Sequence, residues 1–252
     1  MAKVFIGVGH GGAADSGAVG NGFEEADLNL SIALSCMNVL VMHGVNVQMS
    51  RTKDENDTIS EEIAECNAYN PDYAVDIHNN ASANHNGDGF EAYYHYGGGK
   101  GKTLAENIEA EVIKFGQNSR GCKTRLDNNG KDYYAFIKRT VCPAVILECA
   151  FVDNAKDIVI IDTEEERKAM GKAIAKGILK TLNIKYKEEK VMRFKDLPET
   201  HWAFKDIEDF VEMGIVNGYE DGTFKPEKSM TRAEACAFGN RLLKKIAELR
   251  QA

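Results

Sequence analysis

A chain of 252 residues, 43% apolar and 28% charged, is long enough to bury a full core and still carry a small second module. Its formal net charge of -8 comes without any basic stripe to displace counterions from phosphates, which excludes nonspecific nucleic-acid binding. The six cysteines form no C-x-x-C pair and stand mostly in apolar helix or strand contexts, as buried thiols made in a reducing compartment do. A strand begins directly after Met1-Ala2, so no basic-then-apolar secretory segment is expected, and no apolar run reads as a bilayer span.

In chain order, residues 3–8 read as a buried strand, followed by a glycine-rich loop at 9–22 that permits close backbone approach to a ligand. Asp27 can cap a helix over 28–43 that stops at Gly44. A strand at 45–49, a helix at 58–68 and a strand at 73–77 follow, the last delivering His78 at its carboxyl edge. Residues 89–96 alternate like a strand, 102–115 are helical, 133–138 and 144–147 read as strands, and 164–182 form a long amphipathic helix. Alternating strands and helices predict an α/β layered domain with a mixed, largely parallel sheet flanked by helices. Ligands in such sheets gather outside the carboxyl ends of the strands.

The composition turns to uninterrupted charge at Lys185-Tyr186-Lys187-Glu188-Glu189-Lys190, which reads as a linker over 185–192 between a domain at 1–184 and a module at 193–252. The module reads as small and all-α: helix, glycine-rich loop, helix, with Thr231 and Glu234 forming a capping box.

Two histidines and two carboxylates stand at strand ends or in the glycine-rich loop: His10, Glu25, His78 and Glu148. Two imidazoles and one carboxylate are the ligand set of an open catalytic zinc site, and a further unligated carboxylate can handle protons, which outlines a hydrolase. His43, His85, His95 and His201 take the plainer structural or solvated reading. Cys149 adjoins Glu148 without a base partner and reads as a buried thiol, and Ser50-Arg51 as structural. Arg125, Asn128 and Lys131 lie in a polar segment that either lines a cleft or is a solvated loop.

Gly9-His10-Gly11-Gly12, then Asp15-Ser16-Gly17-Ala18, Asn21-Gly22-Phe23-Glu24-Glu25-Ala26-Asp27, His78-x-Asn80-Ala81 and Pro143-Ala144-Val145-Ile146-Leu147-Glu148 resemble the zinc-dependent N-acetylmuramoyl-L-alanine amidases over about residues 2 to 183. The resemblance implies one zinc ion held by His10, Glu25 and His78, with Glu148 as the catalytic glutamate. Glu24 competes for the ligand role, but the resemblance favours Glu25, since the family's glutamate stands two residues before an aspartate-like position that Asp27 matches. It further implies hydrolysis of the amide between N-acetylmuramic acid and L-alanine in peptidoglycan. Asn80, Arg125 and Asn128 are read as candidate substrate contacts. Asp76 stands where the strand often carries serine and could tune His78 from behind.

In the module, Phe194-Lys195-Asp196, His201-Trp202-Ala203, Asp221-Gly222-Thr223-Phe224-Lys225-Pro226 and Met230-Thr231-Arg232-Ala233-Glu234 resemble one surface-layer homology repeat. That resemblance implies anchoring to secondary cell-wall polysaccharide, with Arg232 suited to a carboxylate and Trp202 either a carbohydrate platform or a core anchor. A single repeat leaves its faces uncovered, so self-association is expected. The purine-rich codons of Lys187-Glu188-Glu189-Lys190 ahead of Met192 would also allow free modules to start at Met192, the plainer reading being a charged linker. Peptidoglycan is the expected partner, and neither a membrane nor nucleic acid is. Without an export signal the protein is expected to be made in the cytoplasm and to act on the wall after release, as a phage endolysin does. A bacterial autolysin is the alternative, and a non-enzymatic wall-binding protein is the rival class.

Overall fold

A computed structural model describes residues 1–188 and 193–249. Met192 and the expected linker residues 189–192 lie outside the described residues. The chain divides into two compact units, Met1–Lys187 and Glu188–Ala252.

The first unit runs β1 (Lys3–Val8), β2 (Val19–Gly20), β3 (Phe23–Glu24), α1 (Glu25–Met42), β4 (Asn46–Met49), α2 (Ile59–Tyr69), β5 (Tyr73–Asn80), β6 (Phe90–Tyr94), α3 (Gly99–Phe115), β7 (Ser119–Lys123), α4 (Ala135–Arg139), β8 (Ala144–Phe151) and α5 (Glu164–Thr181). Six strands form one sheet in the order β4-β1-β5-β8-β6-β7. Neighbours are parallel except β6 against β8, so the sheet is mixed and largely parallel. Its central strands read as continuous apolar runs because both faces are covered.

The two faces are covered unequally. On one, Val4, Ile6, Val75, Ile77, Val145 and Leu147 pack with Leu28, Ile32, Ile108, Ile174 and Ile178 of α1, α3 and α5. Gly177 lets α5 press on α3, since a Cβ there would stand 2.4 Å from Ile108 Cα. On the other face, Phe5, Ala74 and Ile146 meet Ile63 and Phe136 of the short helices α2 and α4. These helices leave the carboxyl ends of β5 and β8 open, and alternation along β5 points Ala74, Asp76 and His78 to that thinly covered face.

Several expectations are corrected. Residues 133–138 are not a strand: Ala135–Arg139 form α4, in which Phe136 and Ile137 are both buried as adjacent residues, and Lys138 N–H bonds Tyr134 C=O. Strand β7 carries no apolar alternation and was not expected. Asp27 does not cap α1, which starts at Glu25 because the amides of Glu25 and Ala26 donate to the carbonyls of Ala18 and Ser16. Among the described residues one helix, α1, is long and apolar enough by composition to cross a membrane, with mean hydropathy 1.2. Half of it is buried in the core, where Leu28, Ile32, Cys36 and Leu40 lie.

Tyr186 stacks on His43, whose Nε2 accepts from Lys187 N–H, so residues up to 187 pack on the first unit. In the second unit the described residues form α6 (Phe204–Glu212) and α7 (Arg232–Leu249). Phe194, Leu197, Ala203 and Ile215 make a small core, and Asp196 accepts from the amides of Phe224 and Lys225, pinning the unit's start to its glycine-rich loop. Thr231 and Glu234 exchange the two hydrogen bonds of a capping box at the start of α7.

Candidate active site

His10 follows β1 with a left-handed backbone (φ 61°) between Gly9 and Gly11. A non-glycine residue in that region carries strain that persists only where its surroundings hold it. Here they do. Arg51, 2% exposed, threads beneath the loop and donates to the carbonyls of Val8, Gly9 and Ala26, and Gly12 N–H bonds Asp54. Gly9 carries no side chain because a Cβ would fall 2.1 Å from His78 Cε1, and Gly17, at φ +66°, closes on both Glu25 and His10. The glycines are the space in which the three side chains meet.

Glu25 opens α1, where the helix dipole favours a negative charge. Its carboxylate accepts from Ala18 N–H (2.9 Å), Asn79 N–H (3.1 Å) and Asn29 Nδ2 (3.3 Å), and lies 3.0 Å from His78 Nδ1 and 3.5 Å from His10 Nε2. Burial opposes its charge, but the His78 hydrogen bond and the charges of His78 and His10 outweigh it and hold the carboxyl below its ordinary value. Glu24, by contrast, is exposed in β3.

One donor atom each from His10, Glu25 and His78 lies within 4.8 Å of the others. The far nitrogen of each imidazole is taken by a carboxylate: His10 Nδ1 by Asp15 at 2.8 Å and His78 Nε2 by Asp76 at 3.2 Å. Such outer carboxylates orient metal-binding imidazoles and raise their basicity. Burial favours a neutral His78 ring, yet Asp76, Glu25 and Glu148 together raise its pKa well above the ordinary value. Behind Asp76 stands Glu62, 4% exposed, whose carboxyl is pushed up by burial and by Asp76. Gly7 makes room for it, since a Cβ there would lie 1.8 Å from Glu62 Oε1.

Glu148 sits on β8 opposite His78 in register. Its Oε2 is fully enclosed and has no hydrogen-bond partner among the described residues. Burial raises the carboxyl to about 8, with Glu25, Glu91 and Asp76 adding to the effect against the opposing pull of His78. Two nitrogens and a carboxylate oxygen converging beside an enclosed, unbonded carboxyl fit a borderline-soft divalent ion with an open position, the requirement of a hydrolytic zinc centre. Cys149 faces away into the core, its thiol pushed far up by burial.

Asn80 is near this group but turned to Glu91, to which its Nδ2 donates at 2.9 Å. Arg125 is exposed, stacked 3.9 Å over Tyr133 and 3.4 Å from Tyr134 OH. Asn128 lies in the exposed turn closed by Gly130 N–H to Asp127 C=O, and the structure does not bring it to the four central residues. Sequence reading missed Glu91, a carboxylate 4% exposed and paired in register with Glu148, together with Arg120 and Lys123, which bond it. Glu91 within an alternating strand was the one available signal.

In the second unit Trp202 is 85% exposed and stacks on His201, so it is no core anchor. Arg232 is exposed at the first residue of α7. A separate groove of about 320 Å³ is lined by Tyr219, Lys225, Lys228, Phe238 and Arg241, among others, and both lysines lie over the Tyr219 ring.

Residues 4–180 match the family model described as N-acetylmuramoyl-L-alanine amidase, and residues 193–236 that of the S-layer homology domain. Over 190 residues the chain is 32% identical to the N-acetylmuramoyl-L-alanine amidase CwlM of Bacillus licheniformis, a match covering 73% of this chain and 70% of that protein. Among solved structures, Cwp6 from Clostridium difficile is similar with a TM-score of 0.70 and 38% identity, over 72% of this chain and 29% of that one. The catalytic domain of CwlV, an N-acetylmuramoyl-L-alanine amidase from Bacillus (Paenibacillus) polymyxa var. colistinus, is similar with a TM-score of 0.66 and 29% identity, over 73% of this chain and all of that domain.

Proposed function

The chain belongs to the N-acetylmuramoyl-L-alanine amidase family, and from that premise we propose that its hydrolysis of the amide between N-acetylmuramic acid and L-alanine in peptidoglycan depends on one zinc ion held by His10, Glu25 and His78, with Glu148 moving the proton. The observation that carries this reading is three donors converging within 4.8 Å beside an enclosed carboxyl oxygen that bonds nothing. When bound, zinc polarises the scissile carbonyl and acidifies the attacking water.

The chain's own residues do the rest. Asp15 and Asp76 hold the two imidazoles in the tautomer and orientation that present His10 Nε2 and His78 Nδ1. Glu148 takes the proton of the attacking water at Oε2 and returns it to the departing alanine nitrogen as the C–N bond breaks. A carboxylate at its ordinary value would be a weak base for the proton of water. Burial at this strand position makes Glu148 a stronger base, and its carboxyl still gives the proton up to the more basic departing amine.

Glu148→Gln should retain one zinc per chain and lose turnover, measured by metal analysis and by release of alanine amino termini from purified walls. A chelator should stop wall clearing and added zinc restore it. Full activity in Glu148→Gln, or in metal-free protein, would overturn the reading.

The S-layer homology domain directs the enzyme to the wall. The finer reading is that it binds an anionic secondary cell-wall polysaccharide, with Arg232 as the carboxylate contact and Trp202 as a sugar platform. Support comes from the exposed guanidinium, the exposed indole and the lysines over Tyr219. Self-association through this unit is supported by Met213, Met230 and Leu243, which are 47%, 57% and 68% exposed. Sedimentation as a monomer would count against it. Free modules started at Met192 are tested by mass spectrometry for a fragment beginning there.

A further inference from the structure

Beside Glu148 the sheet carries an ion cluster that the hydrolytic step does not use. Glu91 faces Glu148 across the β6–β8 pair and is 4% exposed. Its Oε1 accepts from Asn80 Nδ2 (2.9 Å) and Tyr93 OH (3.0 Å), while Oε2 takes Arg120 Nε (2.9 Å) and Lys123 Nζ. Two cations against one carboxylate leave a positive charge over, on side chains 38% and 34% exposed. Arg120 spends only Nε on Glu91, and its two terminal nitrogens have no hydrogen-bond partner among the described residues. The guanidinium is braced at 5.0 Å over the Phe151 ring. A register shift between His78 and Asn80 pairs Phe151 with Asn80, so the ring lies beside the cluster.

A rigid guanidinium with its fork unfilled is suited to a carboxylate. Resting on the amidase reading above, we infer that Arg120 and Lys123 form a subsite for a free carboxylate on the stem peptide, one residue beyond the scissile bond. In peptidoglycan the residue after L-alanine is a D-glutamyl group joined through its side-chain carboxyl, so its α-carboxyl is either a free carboxylate or capped as an amide. From the scissile carbonyl to that carboxyl is roughly 7 Å, two residues of extended chain. One to two strand spacings, roughly 5–10 Å, separate Glu148 on β8 from the side chains reaching back from β7. The subsite therefore reads the amidation state of the second stem residue. Glu91 is a positioning residue that holds both cations in place.

The test compares muramoyl-L-alanyl-D-isoglutamate with its isoglutamine counterpart, following amine release by the zinc-loaded full chain. The acid should be favoured about tenfold in kcat/KM, mainly through KM, and Arg120→Gln should bring the ratio close to one. Because a variant could misfold, inhibition of the unaltered enzyme by the free dipeptides L-alanyl-D-isoglutamate and L-alanyl-D-isoglutamine gives a second reading, in which the acid should bind more tightly. Equal turnover of both substrates, or a preference for the acid that survives Arg120→Gln, overturns the subsite while leaving the amidase reading intact. Turnover of neither substrate, where purified walls are also left uncut, overturns the amidase reading itself.

Discussion

Replacing Glu148 with glutamine removes a carboxyl that burial has raised from 4.5 to about 8, and this should show in the stability of the metal-free protein. A raised carboxyl holds more protons folded than unfolded between those two values. Stability is therefore greatest below about pH 4.5, falls as pH rises through the window, and levels off above about pH 8. At about 1.4 kcal/mol per pH unit the whole window is worth at most about 5 kcal/mol, and relaxation around the ionised group brings the expected effect to about 2–5 kcal/mol. Glutamine is nearly isosteric and does not titrate. The stability of Glu148→Gln relative to the unaltered protein should thus rise by that amount between pH 5 and pH 8.5. Urea unfolding followed by far-UV circular dichroism is the suitable assay, because Trp202, the only tryptophan, belongs to the other unit. Two curves that stay parallel across this pH range would refute the placement of Glu148 in an enclosed, unbonded position.

Gly9→Ala should lower zinc affinity at least tenfold in a competition titration, since its Cβ would stand 2.1 Å from His78 Cε1 and the ring must move. Asp15→Asn removes the acceptor charge behind His10 and should weaken zinc binding about 10–100-fold while leaving the circular dichroism spectrum unchanged. In Gly177→Ala, helix propensity favours alanine by about 1 kcal/mol, but a Cβ 2.4 Å from Ile108 Cα forces α5 off α3. Overpacking of this kind costs about 1–3 kcal/mol, so the variant should be less stable in thermal melts.

The layered α/β plan and the four central residues of the site were legible in the chain because their signals are local. Apolar periods mark the long helices and central strands, and glycines around His10 mark a loop built for close approach. The choice between Glu24 and Glu25 had no local signal and came from the amidase resemblance, whereas α1 begins at Glu25 because its first amides donate to the carbonyls of Ser16 and Ala18. Strand β7 was illegible because Ser119-Arg120-Gly121-Cys122-Lys123 is an edge strand with little to bury. The stretch Tyr133-Tyr134-Ala135-Phe136-Ile137 fits a two-residue period as well as a helical one, and packing under the thin face of the sheet selects the helix.

What no periodicity could reveal is which distant residues stand side by side. Asp15 behind His10, Arg51 beneath the loop, Glu62 behind Asp76 and the pairing of Glu91 with Glu148, Arg120 and Lys123 all depend on contacts between separate elements. A side chain's local period is set by neighbours two to four positions away. Its partners across the sheet are set by strand order and register, and here β6, antiparallel to β8 and parallel to β7, carries Glu91 to the edge of the site.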